Sequence, residues 1–339
     1  MTVKDTHVLL AHGNGGRLMR ELIDQVFAGR LKNAALDTAA DAAVLPWSAA
    51  DGELVFTTDG FTVQPLEFPG GDIGSLAVHG TTNDLAVCGA VPRYLSLNAF
   101  IEEGFEIATL ERLVASLAKA AAELDVQVAA GDTKVLRKGE GGGLYLATSG
   151  IGVRPRGLNL GIRSIQAGDA VLVSGPIGAH GVAVMLAREQ FGLRGDLQSD
   201  AASVLPLTLA IRDLPGLRFM RDPTRGGLAT VMHEIAQATG LAVRLQEDSI
   251  PVQDPVRSVC EILGYDPYYL ACEGRVVAVV STENSAEALE RWRKLPQGSQ
   301  AMIIGRIIAE SHGRVVLQTA LGGERYLEEL EDDPLPRIC

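Results

Sequence analysis

Hydrophobic positions along the first half of the chain alternate between strand and helix periodicities. Four apolar, β-prone runs are bounded by glycine, proline or polar residues, as is typical of strands. Between them, residues 74–89 are small and apolar with helical spacing, and residues 107–124 carry the apolar stripe of an amphipathic helix. The predicted strands are ELVFTTDG from residue 53, PRYLSLNAFI from 92, DVQVAAGD from 125 and GGLYLATSGIGV from 142.

The second half mixes the two periodicities without a strict strand–helix–strand rhythm. DAVLVSG has a buried-strand pattern, and helices are predicted at 178–191 and 201–213. The segment MRDPTRGGLATVMHEIAQATG predicts a loop followed by a helix, with Gly240 as its C-cap. This irregular order favours an α+β fold over a doubly wound sheet. Further strand or helix patterns are LAVRL, VRSVCEILG, YYLACEG, RVVAVVS and AMIIGRII.

The chain length of 339 residues predicts two domains. The segment RPRGLN is a plausible boundary, which gives two α/β-mixed domains over residues 1–154 and 155–327. Residues 328–339 are acidic, contain two prolines and end at Cys339, which is typical of a mobile, extended tail.

Composition excludes several classes of protein. A hydrophobic fraction of 47% with 38 glycines indicates a globular chain with many tight turns. The net charge of −12 argues against nonspecific binding to nucleic acid, which needs clustered Lys and Arg. The sequence contains neither a signal peptide nor a long apolar segment, so neither secretion nor membrane insertion is predicted.

Four cysteines without a paired spacing predict reduced thiols in a cytoplasmic protein. Cys88, Cys260 and Cys272 lie in apolar patterns and are expected to be buried and unreactive. Cys339 differs because it is the last residue, and the approach to it is stiffened by Pro334 and Pro336.

Aspartates recur beside small residues, in places typical of strand ends and tight turns. Carboxylates brought together repel one another unless a cation neutralises them, and Mg²⁺ uses one or two carboxylates plus phosphate oxygens. The set would therefore suit Mg·ATP. The alternative interpretation is that these are ordinary turn and helix-cap residues. They are Asp41 in ADAAVL, Asp59 in TTDGF, Asp84 in TTNDLAVCGA and Asp132 in AAGDTK.

Two glycine-containing segments are candidates for phosphate binding. HGNGG, with Gly13, Asn14, Gly15 and Gly16, can form an anion nest of successive N–H groups, although a plain flexible loop has the same composition. In MRDPTRGG, Asp222 and the Gly-Gly pair precede a helix, so they either cap it or present N–H groups to phosphate.

Motifs of several other enzyme classes are absent from the sequence. There is no GxxxxGK[ST] phosphate loop, no GxGxxG after a strand and no GxSxG nucleophile elbow. His233-Glu234 would begin a zinc-protease motif, but residue 237 is Gln, so the second ligand is missing.

In combination, these segments resemble a known family. HGNGG, DAAVL, TTDGF, TTNDLAVCGA, GDTKV, MRDPTRGG, ACEG and the terminal PRIC are similar, in this order, to the HypE family of hydrogenase maturation proteins. That family belongs to the superfamily of aminoimidazole ribonucleotide synthetase, selenophosphate synthetase and thiamine-monophosphate kinase. The aspartate motifs indicate only the superfamily, whereas a terminal PRIC points to the maturation family.

The resemblance implies a homodimer that pairs through its N-terminal sheets, with ATP in a cleft lined by aspartates. Its implied nucleotide-binding residues are Gly13, Asn14, Gly15, Gly16, Asp41, Asp59, Asn83, Asp84, Asp132 and Asp222. Its implied Mg²⁺ ligands are Asp41, Asp59, Asp84 and Asp132.

The resemblance also implies the reaction. A partner carbamoyltransferase, HypF, places a carboxamide on Cys339, and ATP-dependent dehydration turns it into a thiocyanate. The cyano group then passes to a HypC–HypD scaffold as a ligand for the iron of [NiFe] hydrogenase. Glu273 is implied to remove protons and Lys134 to stabilise charge, although a strand-end carboxylate and a surface lysine are the alternatives. Two other functions remain open: a small-molecule phosphotransferase of the same superfamily, and an ATP-sensing scaffold.

Overall fold

The structure, a computed structural model, describes residues 5–13, 17–36, 43, 45–188, 195–310 and 313–330. It begins with short helical segments that pack beside the first sheet. They are a 3₁₀ turn at Leu10–Gly13, helix α1 (Arg17–Leu22), a π-helix at Ile23–Ala28 and the single turn α2 (Gly29–Leu31).

The first sheet has four strands in the order β1-β6-β4-β5. Only the β4–β5 pair is parallel, and helices α3 and α4 cover one face. All four predicted strands and both predicted helices of this half are confirmed. The bounds are β1 (Glu53–Phe61), the two-residue β2 (Glu67–Phe68) and β3 (Gly71–Asp72), α3 (Ile73–Val87), β4 (Val91–Glu102), α4 (Ile107–Glu123), β5 (Gln127–Leu136) and β6 (Leu144–Arg154).

The two faces of this sheet have opposite environments. Alternate residues such as Leu97, Leu146 and Thr148 point toward α3 and α4 and are buried. The other face carries exposed apolar side chains, with Phe56 at 67% and Leu54 at 49% exposure. A protein of this size rarely leaves a contiguous apolar sheet face in water, so this face is a candidate interface.

The second sheet has seven strands in the order β13-β12-β9-β11-β7-β10-β8. All its pairs are antiparallel except β9–β12, so the α+β prediction is confirmed. The bounds are β7 (Ala170–Val173), α5 (Ala179–Ala187), α6 (Leu205–Ile211), β8 (Leu217–Arg221), α7 (Gly227–Thr239), β9 (Ala242–Gln246), α8 (Asp254–Leu263), β10 (Val277–Val280), α9 (Thr282–Arg293), β11 (Met302–Ile308), β12 (Val315–Gln318) and β13 (Glu324–Tyr326).

Two local expectations are wrong. The ACEG segment is not a strand: residues 270–276 run as irregular chain, because their hydrogen bonds go to loops and to α3 rather than to a sheet neighbour. Cys88 is exposed, since it stands at the C-cap of α3, beyond the apolar turn that precedes it. Cys260 and Cys272 are buried as expected, and Gly240 caps α7 with a φ of 71°.

Within these described residues, no helix combines the length and the apolar character needed to cross a membrane.

Candidate active site

Two aspartates meet between β1 and α3. Asp59 lies near the end of β1, on the face that α3 covers, and Asp84 lies in the last turns of α3. Gly80 permits the close packing, because a Cβ there would lie 2.7 Å from Cε1 of Phe61 and 3.5 Å from Oδ2 of Asp59. Residues four apart share one face of a helix, so Asp84 points the same way as Gly80. Its Oδ2 accepts a hydrogen bond from Oγ1 of Thr57 at 2.9 Å.

Two further carboxyl groups come from the second half of the chain. Asp222 directly follows β8 and is 6% exposed, and Glu273, in the irregular segment before β10, is 4% exposed. Asp222 does not cap α7, because the N-cap is Gly226, in a left-handed conformation with no side-chain cap. The Asp222 carboxyl group accepts a hydrogen bond from its own main-chain N–H and has no helix-capping role.

Burial acts on all four carboxyl groups, and repulsion by a neighbouring carboxylate adds to it at Asp59, Asp222 and Glu273. Burial is the main cause that raises the pKa of Asp59 and of Asp84, and the charge of Asp84 adds to it at Asp59. Burial and then the charge of Asp84 raise the pKa of Asp222 to about 7. Burial and then the charge of Asp222 raise the pKa of Glu273 well above its ordinary value. A cation bound here would favour the charged forms of all four.

Two arginines of the Asp222 loop partly offset the negative charge. The guanidinium of Arg225 opposes the rise in the pKa of Asp59, and that of Arg221 opposes the rise at Asp84. Arg221 also donates a hydrogen bond to Glu234 at 3.3 Å. The cluster therefore contains fixed positive charge at its edge and uncompensated carboxyl groups at its centre.

Asn83 ties the two halves of this cluster together. Its Nδ2 donates to the carbonyl oxygens of Ala202 at 3.0 Å and Glu273 at 3.1 Å, and its Oδ1 accepts from the N–H of Val204 at 2.9 Å. The amide is 1% exposed, so its donors are committed to the protein main chain. The structure thus places Asn83 between the domains, with its side chain turned away from solvent.

A second group of predicted site residues lies at the opposite edge of the first sheet. Asp132 on β5 is in register with Asn98, Ala147 and Gly60, so it points to the face opposite Asp59. The two positions are three strand spacings apart, about 14 Å. The Nζ of Lys134 lies 3.0 Å from Oδ2 of Asp132, and both side chains are half exposed or more.

The start of the glycine loop belongs to this second group. A Cβ on Gly13 would lie 2.8 Å from the Cβ of Val135, so the loop begins against β5, one residue beyond Lys134. One chain therefore brings Asp59, Asp84, Asp222 and Glu273 together and holds Gly13, Asp132 and Lys134 elsewhere. The remaining predicted residues, Asn14, Gly15, Gly16, Asp41 and Cys339, lie outside the described residues.

Sequence reasoning did not identify Thr57, Arg221 or Asp200 as site residues. Thr57 stands two residues before Asp59 on the same strand face, so strand periodicity could have found it. Asp200 accepts hydrogen bonds from His180 and Gly274, but LQSDAAS carries no motif that would single it out.

Comparison with known proteins agrees with this two-part architecture. Residues 39–154 match the N-terminal domain of the AIR synthase related proteins, and residues 166–318 match their C-terminal domain. The chain thus has the two-domain fold of an AIR synthase related protein.

Three relatives narrow the assignment. The carbamoyl dehydratase HypE of Azotobacter vinelandii is 44% identical over 100% of this chain and 99% of its own length. The crystal structure of hydrogenase maturation protein HypE in complex with ATP is 41% identical, covers 98% of this chain and 99% of its own, and superposes with a TM-score of 0.92. A HypE–HypF complex matches at 40% identity and a TM-score of 0.79, over 93% of this chain and 100% of that one. The chain belongs to the HypE family.

Proposed function

We propose that the protein is an ATP-dependent carbamoyl dehydratase of [NiFe] hydrogenase maturation, which converts the S-carboxamide of its own C-terminal cysteine into a thiocyanate. The observation that carries the proposal is the cluster of Asp59, Asp84, Asp222 and Glu273 between the two domains, together with the full-length similarity to carbamoyl dehydratases. A HypE relative has been crystallised with ATP, and ATP is the phosphoryl donor assigned here.

The donor set fits a magnesium-bound nucleotide. Among the described residues, no group of three or more His, Cys, Asp or Glu side chains can hold a metal ion alone. Mg²⁺ commonly takes one or two protein carboxylates and completes its shell with water and phosphate oxygens. Asp59 and Asp84 would supply the carboxylates, with Asp41 and Asp132 as the further proposed ligands. Bound there, Mg²⁺ would neutralise charge on the transferred phosphoryl group.

The chemistry requires loss of the amide oxygen, which is a poor leaving group. Transfer of the γ-phosphoryl group to that oxygen, with loss of one of the two N–H protons, gives an S–C(=NH)–O–phosphate group, ADP and a proton. Loss of the remaining N–H proton and cleavage of the C–O bond then give S–C≡N and phosphate. The net change is removal of one water, matched by hydrolysis of ATP to ADP and phosphate.

Glu273 is proposed to remove the proton from nitrogen. A carboxyl group with a raised pKa is a stronger base than an ordinary carboxylate once it is ionised, and general bases work best when their pKa is near the working pH. Lys134 is proposed to stabilise charge on the phosphorylated oxygen, and Gly13–Gly16 and Asp222 to contribute to nucleotide binding. Asn83 is proposed to support this site by holding the main chain at Ala202, Val204 and Glu273.

The first residues of the tail lie beside the loop that carries Asp222. Oη of Tyr269 donates to the carbonyl of Glu328 at 2.8 Å, and Leu330 packs against Gly226, in the loop that carries Asp222. Nine residues follow Leu330 and can span at most about 30 Å. Cys339 is therefore within reach of the four carboxyl groups.

A homodimer is proposed to complete the site. The apolar outer face of the first sheet is the proposed contact, and pairing two such faces would bring the β5 edge of one protomer toward the Asp59 region of its partner. This supports a site built from both chains, because two strands lie between the strands that carry Asp59 and Asp132 in one chain. We further propose domains over residues 1–154 and 155–327 with the tail at 328–339.

Two partners are proposed for the tail. A HypE relative has been crystallised with HypF, which supports a carbamoyltransferase of that kind as the donor. A HypC–HypD complex is proposed to receive the cyano group. Because the reacting thiol must stay reduced and ATP must be present, we place the reaction in the cytoplasm.

Mass analysis tests the proposal directly. Full-length protein carbamoylated on Cys339 is incubated with Mg·ATP, and the mass of the C-terminal peptide is followed. The expected result is loss of one water, which Glu273→Gln slows. An unchanged mass contradicts the dehydratase assignment. Turnover of a small phosphoryl acceptor that survives Cys339→Ala would favour a phosphotransferase instead.

A further inference from the structure

The main chain around Glu273 is held by contacts from outside any sheet. Its carbonyl oxygen accepts from Nδ2 of Asn83 at 3.1 Å and from the N–H of Ala202 at 3.5 Å. Two separate elements, α3 and the loop before α6, therefore fix the position of this one peptide unit. The main chain that carries the Glu273 side chain is therefore held in one position.

Asp200 holds the two residues that follow. Its Oδ2 accepts from the N–H of Gly274 at 3.3 Å and lies 3.4 Å from Nε of Arg275. Its Oδ1 accepts from the N–H of His180 at 2.9 Å, at the start of α5. The side chain of Asp200 is 2% exposed, so this carboxylate is committed to the protein.

The packing at Gly274 leaves no space for adjustment. A Cβ at this position would overlap the main-chain oxygen of Asp200. Arg275 is fixed as well, since its Nε donates to the carbonyl of Pro176 at 2.9 Å and its Nη1 to that of Gln297 at 3.3 Å. The Asp200–Arg275 pair is thus anchored at both ends.

We propose that Asp200 is a positioning residue for Glu273, which it holds together with Asn83 by fixing the peptide unit that directly follows that residue. The inference rests on the proposed function, in which Glu273 removes a proton. A buried ion pair contributes little net stability compared with a well-packed apolar pair, so stability alone does not account for this arrangement. A positioning role accounts for it, because a displacement of about 1 Å at a reacting group can slow catalysis about 100-fold.

A double-mutant cycle tests the proposal in the full-length carbamoylated protein. Single-turnover loss of water is measured for Asp200→Asn, Glu273→Gln and the double variant. Asp200→Asn is expected to slow the step by about 10- to 100-fold, with the KM for ATP unchanged. Because Asp200 acts through Glu273, the double variant should be no slower than Glu273→Gln within about twofold.

The matched control is Asp196→Asn, which changes an exposed aspartate four residues away and should leave the rate unchanged. If Asp200→Asn does not fold, Arg275→Lys is used in the same cycle, because it keeps the positive charge and removes the contact between Nε of Arg275 and Asp200. Additive effects in the cycle, or an unchanged rate in Asp200→Asn, would overturn the positioning role. Wild-type activity in Glu273→Gln would instead remove the catalytic assignment of Glu273, and absence of water loss in the wild type would remove the proposed function.

Discussion

The two carboxylate-bearing regions of the molecule have similar local sequences and differ in the partners of their carboxyl groups. At Asp59 and Asp84, aspartates meet others from the second half, and burial raises their pKa values. At Asp132, an aspartate in an equally glycine-rich setting is half exposed and pairs with Lys134. The local sequence thus predicts that an aspartate lies near a strand end. Whether that aspartate joins other carboxyl groups depends on whether it faces helix α3, as Asp59 does and Asp132 does not.

The largest expected effect comes from removing a carboxylate of the cluster formed by Asp59, Asp84, Asp222 and Glu273. Asp84→Asn keeps the side-chain shape but removes the negative charge proposed to hold Mg²⁺. We expect single-turnover dehydration to fall by about 100- to 1000-fold, the range typical of one lost electrostatic contact to a reacting group. The measurement is mass loss from the carbamoylated tail, with sedimentation to confirm the oligomeric state. Near wild-type activity would contradict the placement of the metal at Asp84.

A mixing experiment tests whether the two regions belong to one site. Asp84→Asn and Asp132→Asn chains, each inactive alone, are unfolded, mixed equally and refolded together. If a site combines the Asp84 region of one protomer with the Asp132 region of the other, each mixed dimer regains one intact site, and about a quarter of wild-type activity returns. If both regions serve a site within one chain, no activity returns.

The proposed role of the exposed outer face of the first sheet as the dimer contact can be tested separately. Phe56 is 67% exposed on the open face, so Phe56→Asp should cost the isolated chain little stability. It should nevertheless dissociate the proposed dimer and lower activity, since it places a charge in the proposed apolar interface. Light scattering measures the mass, and Thr58→Asn on the same strand face serves as a milder control. A fully active Phe56→Asp dimer would exclude this face as the contact.

The sequence predicted the first sheet better than it predicted the site. Periodicity found β1, β4, α4, β5 and β6 because each buries one regular face, and α3 was found as a run of small apolar residues that is buried on most sides. It failed at Glu273, whose segment resembles a strand but takes its hydrogen bonds from Asn83 and Ala202. Such contacts depend on how two domains meet, which no local pattern encodes. For the same reason, the sequence suggested a single set of aspartates where one chain holds two separated groups.

Stability against pH distinguishes the two regions without any assay of activity. The pKa of Asp222 is about 7 in the folded protein, because of burial and the charge of Asp84, and 3.8 is its ordinary value. Below about pH 4 both states carry the proton. As pH rises toward 7 the unfolded chain ionises first, so the metal-free protein loses stability over this window. Asp222→Asn should therefore stabilise the metal-free protein at pH 8 by a few kcal/mol, on the order of the shift itself, and not at pH 4. Urea unfolding at the two pH values measures this, and an equal effect at both would contradict the shifted titration.

The smallest effect is expected at the exposed pair. Asp132 and Lys134 are 50% and 60% exposed, so their 3.0 Å contact is screened by water and salt. An ion pair of this kind contributes about 0 to 1 kcal/mol. Lys134→Ala should therefore change the free energy of unfolding by less than about 1 kcal/mol at any pH between 5 and 8, while slowing dehydration if the lysine stabilises the reacting group. Urea unfolding and single-turnover mass analysis on the same sample separate the two effects, with Lys138→Ala in the following loop as the matched control. A large loss of stability in Lys134→Ala would mean that the β5 edge is packed against something more than solvent, and the contrast with the cluster of four carboxyl groups would no longer hold.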